Sequence, residues 1–268
     1  MRNVIGILAA TLCLVLSTTA GAKAGRATEC TALNICYCVE QDLRPAIDAN
    51  VNKIRKLMAE QKTAGKAVGY LSIPISTVGG SYFGVSSEVA ARTKAAVEKR
   101  FGAGSAWLLN PGESDFGLPA GANGADYMLQ WTRVLEGTGV GEDFDFVYFA
   151  GPSDFASALG LTGEADMEKI DALFDRRYAA DAGLRKAVEQ GKVSKTTFRN
   201  YYALRAAISF SYGSHDEWNI VRFLNERRRG ATKSGIADQI AVWFDGRAAV
   251  PGAYEQSIAA GDAGRCIN

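Results

Sequence analysis

The sequence predicts an α/β protein: a small parallel sheet of the Rossmann-like kind, with crossover helices and a large helical C-terminal half. Three observations carry that prediction. Apolar runs at Val68–Ser76, Ala106–Asn110 and Phe144–Ala150 have the length and composition of buried strands. Stretches of helical period separate them, and the joints are short and glycine-rich. Strands alternating with helices at this spacing form parallel sheets, because a parallel partner is reached only by a crossover. From about Ser153 the pattern becomes mainly helical.

The chain opens on a leader. In residues 1–24, Arg2 supplies a positive start, Val4–Leu16 is an almost unbroken apolar run, and Ala22-Lys23-Ala24 is a small-x-small cleavage pattern. The run is short for a permanent membrane helix, so we read a signal peptide rather than an uncleaved anchor. The expectation is a periplasmic or secreted protein with no stable membrane insertion after cleavage. Residues 25–268 carry no Pro/Ser-rich linker, repeat or low-complexity segment and read as one exported domain. Within it, residues 25–66 form a cysteine-bearing segment and helix, 67–161 the α/β core, and 162–268 the helical half.

The chain has 30 Lys and Arg against 29 Asp and Glu. Loss of Arg2 and Lys23 with the leader leaves the two signs nearly balanced, which argues against nucleic acid as a partner. Arg227-Arg228-Arg229 is a local basic run at the end of a predicted helix, where cations suit the dipole and water solvates them. Cys30, Cys36, Cys38 and Cys266 remain after cleavage, an even number that implies two disulfides. Cys36 and Cys38 are too close in sequence to favour each other. One of them is expected to bond Cys30 and the other to reach Cys266. A metal site built on Cys30, Cys36 and Cys38 lacks a nearby histidine and the Cys-x-x-Cys spacing.

Along the chain, Asp42–Lys62 is an amphipathic helix with Ile47, Val51, Ile54, Leu57 and Met58 on one face and Pro45 in its first turn. The first strand, from Val68, leads into a Gly/Ser loop. Ser86 or Ser87 caps the next helix, which ends near Gly102. Residues 113–123 form a loop and Ala125–Glu136 a helix. Glu168–Tyr178 and Ser214–Arg229 are helical, the latter with Ser214 and Glu217 spaced as a capping box. Ile240–Phe244 reads either as a fourth strand or as the end of a helix from Gly235. The tail from Asp245 shows no pattern and is expected on the surface, fixed by Cys266.

A loop at the carboxyl end of a strand in an open α/β sheet is where ligands bind. Gly79 and Gly80 permit close backbone approach, Ser76 and Ser81 offer hydroxyls, and the following helix start offers amides. The loop lacks both the dinucleotide Gly-x-Gly-x-x-Gly order and the Walker lysine. Tyr82 and Phe83 lie in it with no packing role evident from the pattern, which marks them as aromatics for stacking on a base or sugar. The same glycines also suit a plain tight connection. His215 is the only histidine, and its place in a capped first turn favours a structural role over catalysis. With one histidine a catalytic zinc site is disfavoured, and a Ser-His-Asp triad lacks the activated serine of a Gly-x-Ser-x-Gly elbow. Trp107, Trp131, Trp218 and Trp243, and the run Phe198, Tyr201, Tyr202 and Phe210, fit core packing.

The order of motifs from Val68 to Leu161 resembles nucleoside 2-deoxyribosyltransferase-like domains. The features are the strand, the Pro-bearing loop, the helix, the strand ending Asn110-Pro111, Asp126-Tyr127-Met128 on a helix, and the strand Phe144–Ala150. The resemblance implies that the loop after the first strand contacts a nucleoside or sugar phosphate, and that a glutamate after a later strand attacks the anomeric carbon. No glutamate occupies that position here; Gly151-Pro152-Ser153-Asp154 follows the strand instead. Glycoside cleavage calls for two carboxylates, and Asp126 and Asp154 are the candidates for acid, base or nucleophile. Helix capping is the competing explanation for each.

The sequence therefore points to a pocket for a small nucleotide- or sugar-like ligand, lined by Ser76, Gly79, Gly80, Ser81, Tyr82 and Asn110, with no cofactor and no metal. The pocket serves either an N-glycosidic hydrolase or transferase or a silent binding protein. The alternative class is a non-catalytic interaction or structural protein of the cell envelope.

Overall fold

A computed structural model describes residues 25–75, 79–204, 212–231, 238–250 and 264–266. Residues 1–24, Ser76 and Phe210 lie outside the described residues. The chain begins with a hairpin, β1 (Arg26–Cys30) and β2 (Cys36–Glu40), followed by α1 (Arg44–Thr63) and β3 (Ala67–Ser72). Next come α2 (Phe83–Phe101), β4 (Ala106–Leu109), α3 (Gly124–Glu136) and β5 (Phe146–Phe149). Four helices follow: α4 (Pro152–Leu159), α5 (Asp166–Ala180), α6 (Ala182–Glu189) and α7 (Lys195–Arg199), the last running into a π turn, Asn200–Leu204. The described chain closes with α8 (Tyr212–Ala231), β6 (Ala241–Phe244) and β7 (Arg247–Ala249).

The sheet has the order β4-β3-β5-β6-β7. The first three pairings are parallel, and β7 returns antiparallel on β6. Parallel strands need cover on both faces, and the alternation of side chains in β3 shows how that is met. Val68 and Tyr70 point to one layer, made of the hairpin, α1, α3 and α8. Leu71 and Ile73 point to the other, made of α2 and α4 to α7. Gly69 also faces the second layer, where a Cβ would lie 2.2 Å from the Phe146 ring. The missing side chain lets β5 pack that ring across β3.

Several expectations change. Residues 241–244 are a strand rather than the end of a helix, and β7 gives order to the tail, so the C-terminal half also supplies two strands. The α2 helix starts at Phe83, ahead of the expected serine caps. Ser86 is instead buried, its hydroxyl bonded to that of Tyr202 at 2.8 Å. The N-terminal hairpin has no signature in the sequence pattern, because Ala27 to Cys38 shows no clean alternation.

The disulfides join Cys30 to Cys36 and Cys38 to Cys266. The first bridges directly opposed residues of the hairpin. Beside the second, the Cys266 amide donates to the Thr28 hydroxyl, and Thr28 lies opposite Cys38. Two such bonds persist in an oxidising, extracytoplasmic environment. The hairpin also docks on α3: the Glu40 amide donates to Asp126 and the Leu33 amide to Glu136.

The second bridge spans 228 residues of sequence. The chain-entropy model rates a loop of that size at roughly 5 kcal/mol, an upper value because strain and residual unfolded structure subtract from it. Cys266→Ser is therefore expected to lower the thermal midpoint by several degrees. Thermal denaturation of oxidised wild type and variant checks this, and an unchanged midpoint would show that the bridge contributes nothing to stability.

Candidate functional site

The strand order reverses between β3 and β5, since β3 connects outward to β4 and the chain then crosses back to β5. The carboxyl ends of these two strands form the switch-point crevice of an open α/β sheet, where ligands bind. Ser72, the last residue of β3, is buried there, and Tyr70 lies two residues before it on the same face. Both hydroxyls donate to one carboxylate. Tyr70 Oη lies 2.5 Å from Glu217 Oε1, and Ser72 Oγ lies 2.5 Å from Glu217 Oε2.

Glu217 reaches β3 from the first half of α8. Its spacing with Val221 and Leu224 places it on the apolar face of that helix, so it is carried inward with them. Burial pushes its carboxyl up to about 7, against the two hydroxyl bonds that favour the charged form; the nearby charge of Asp216 pushes the same way as burial. Asp216 is also raised to about 7, by burial. Tyr70 is raised well above its usual value by burial and by the Glu217 charge. Its ring meets Phe144 edge-on at 5.9 Å and tilts against Trp131 at 6.0 Å, which fixes the direction of the hydroxyl. The expected capping box is absent: α8 begins at Tyr212, so Ser214 lies inside the helix, and the Glu217 oxygens face β3. His215 shares this opening turn, half-buried.

The glycine loop after β3 faces the opposite layer. Its described part, from Gly79, is roofed by α7 and the π turn. A Cβ on Gly80 would lie 2.2 Å from the Thr197 carbonyl oxygen. Ser81 is buried and bonded to the Tyr201 hydroxyl. The Tyr82 amide donates to the Tyr202 hydroxyl at 2.9 Å, and that hydroxyl also lies 3.1 Å from the Tyr82 carbonyl. Tyr82 is not a free stacking surface, because its own hydroxyl donates to Asp181 at 2.7 Å. Phe83 is half exposed. Asn110 is buried at the end of β4, where its side-chain carbonyl accepts the Gly112 amide at 2.9 Å. Ser76 lies outside the described residues.

Asp126 and Asp154 are not brought together. Asp126 is fully buried at the start of α3 and accepts the amides of Asn123 and Glu40. Asp154 starts α4 in the other layer and accepts the Gly151 amide and the Tyr148 hydroxyl. Each completes the cap of its own helix, and they share no partner, so the pairing expected from sequence gives way to capping. Burial still raises the Asp154 carboxyl. Glu217, spaced in sequence as a helix cap to Ser214, is the acid placed at the switch point. The signal for it was an acid in register with an apolar helical stripe, a position that requires buried donors.

Among the described residues, no group of three or more His, Cys, Asp or Glu side chains is arranged to hold a metal ion, and no helix is long and apolar enough to cross a membrane. Comparison of the chain with protein-family models, curated proteins and solved structures finds no match.

Two predictions follow from this geometry. A carboxyl whose folded pKa lies above its unfolded value stabilises the fold fully below the unfolded pKa. That contribution is lost as pH rises through the folded pKa. For Glu217 the window runs from about 4.3 to about 7, and the loss is on the order of 3 kcal/mol. The thermal midpoint should fall between pH 5 and pH 8, and Glu217→Gln should reduce that slope to the part left by Asp216; an equal slope in the variant would assign the effect elsewhere. At the loop, Gly80 has φ of 100° and Gly79 a φ of 69°, with nothing nearer than 3.9 Å to a Gly79 Cβ. Gly79→Ala should cost about 1 kcal/mol for its backbone alone. Gly80→Ala should cost roughly 2 kcal/mol or more, because Thr197 must also move. Denaturant titration of the two variants measures the difference.

Proposed function

We propose that the protein is exported and binds a small nucleotide- or sugar-like ligand at the carboxyl edge of the sheet, in the crevice between β3 and β5, and that it acts there as an N-glycosidic hydrolase or transferase. The observation that carries this reading is Glu217, a buried carboxyl held by Tyr70 and Ser72 at the switch point and titrating near 7. A group poised near neutral pH is suited to giving and taking a proton in one catalytic cycle. The two hydroxyls fix the direction of its oxygens and stabilise the carboxylate once the proton has left. Asp216, next in sequence and also raised, offers a second carboxyl for the two-carboxylate chemistry of glycosidic cleavage.

The resemblance to nucleoside 2-deoxyribosyltransferase-like domains left the attacking glutamate without a counterpart in sequence. Glu217 supplies a carboxylate beside the first strand from a different element. In this reading Glu217 protonates the leaving base or attacks the anomeric carbon, and Asn110 contributes a polar group beside the neighbouring strand end.

A second reading rests on the same residue. Both Glu217 oxygens already have donors and the residue is buried, which suits a clamp between α8 and β3 in a non-catalytic binding or envelope interaction protein.

The two readings are separated by incubating the disulfide-bonded protein with purine and pyrimidine nucleosides, their 5′-phosphates and sugar phosphates, while following free base and thermal midpoint together. Release of base, reduced at least 100-fold by Glu217→Gln with the ligand-induced shift retained, is the outcome expected of an enzyme. A shift without release is the outcome for a binding protein. Neither with any compound would leave the envelope interaction reading.

A further inference from the structure

On the face of the sheet opposite Glu217, α2 and α5 run antiparallel to each other. Tyr82 bonds Asp181 at one end, and Glu88 pairs with Arg177 further along. Between them, and closed at one end by the last turn of α4, is a cavity of about 630 Å³. That is within the 300–1,000 Å³ range of small-molecule sites. Its lining has two chemistries. Half-buried Leu159 and Leu173 and exposed Ala172 supply its apolar surface, over the buried Val85 and Val89 of α2 and Ile170 of α5. Arg92, Lys169, Arg176 and Arg177 stand around it with a single acid, Glu88.

Helical spacing explains this arrangement. Val85, Val89 and Arg92 share one face of α2, and Lys169, Leu173 and Arg176 share one face of α5, so each helix presents an apolar patch with a cation a turn beyond it. Glu88 is paired with Arg177, which leaves three cations facing no acid of the cavity lining. Arg92 donates to the carbonyl of Ala158 at the end of α4. Lys169 bonds the Thr162 hydroxyl at 3.1 Å, with Asp166 at 3.6 Å. Arg176 is exposed and forms no ion pair with the described residues. Guanidinium groups beside a carboxylate or phosphate form charge-assisted, often bidentate bonds.

We infer that this cavity is a second binding site, separate from the carboxyl-edge crevice, for a free amphiphilic anion. Its carboxylate or phosphate head meets Arg92, Lys169 and Arg176, and its hydrocarbon body lies against Leu159, Ala172 and Leu173. The cation excess selects the sign of the head, and the apolar walls select against a free inorganic anion.

The test is calorimetric titration and thermal shift of the disulfide-bonded protein with octanoate, octyl phosphate, 1-octanol, octyltrimethylammonium and inorganic phosphate. Octanoate or octyl phosphate should bind saturably at one site and raise the thermal midpoint. Octanol and inorganic phosphate should bind at least tenfold more weakly, and the octyl cation should not bind. Arg176→Glu, at an exposed position, should weaken the anion at least tenfold with the fold intact by circular dichroism. Leu173→Asp, at a half-buried position, should weaken octyl phosphate more than inorganic phosphate. Equal binding of octanol and octanoate, no saturable binding of any anion, or unchanged affinity in both variants would overturn the assignment. So would binding to anionic phospholipid vesicles without binding to the free amphiphiles.

Discussion

The structure turns on one buried carboxyl. Glu217 accepts two hydroxyl bonds from β3, the strand that β4 and β5 flank on either side, and it does so from a helix that the chain reaches only after more than a hundred further residues. An acid carried into an apolar layer is tolerated only when its oxygens find donors. Tyr70 and Ser72 supply those donors on the same face of β3 because side chains in a strand alternate with period two. The contact thus fixes the position of α8 over the sheet. It also places a titratable group at the point where strand order reverses, so packing and candidate chemistry rest on the same three side chains.

Other long-range polar contacts act in the same layer. Along α3, Asp126 and Glu136 take hairpin amides, and Tyr37 shares a 2.8 Å hydroxyl bond with Thr132. The basic run at the end of α8 is not simply a solvated helix end. Arg228 donates to the carbonyls of Val140 and Gly141, and Arg227 to those of Ala32 and Gly139. These guanidiniums bind carbonyls of the hairpin turn and of the glycine-rich turn after α3, tying both to the end of α8. Desolvation lowers the Arg228 pKa, a cost accepted in exchange for those bonds.

The opposite layer is held by tyrosines. Tyr201 and Tyr202 take up the hydroxyl of Ser81 and the Tyr82 backbone groups, the same donors and acceptors that the sequence offered to a ligand. Gly80 allows that roof to approach. The glycine's purpose was legible, since close backbone approach was required, but the approaching partner was not. That partner is Thr197, more than a hundred residues downstream, and nothing near Gly80 in sequence identifies it. The cavity between α2 and α5 is of the same kind: both amphipathic faces are readable singly, and only packing puts them opposite each other.

The sequence by itself determined what short-range pattern can encode. The apolar runs at Val68, Ala106 and Phe144 were buried strands, the heptad-like spacing of Ile47, Val51, Ile54 and Met58 was a helix face, and four cysteines were two bridges, one reaching Cys266. Tertiary structure alone decided which polar groups meet. It assigned Asp126 and Asp154 to separate helix starts in separate layers, and it turned Glu217 from an apparent helix cap into the acid beside β3. The reason is physical. Backbone period depends on neighbours within a few residues, whereas the partner of a buried polar side chain is set by how layers distant in sequence come to pack.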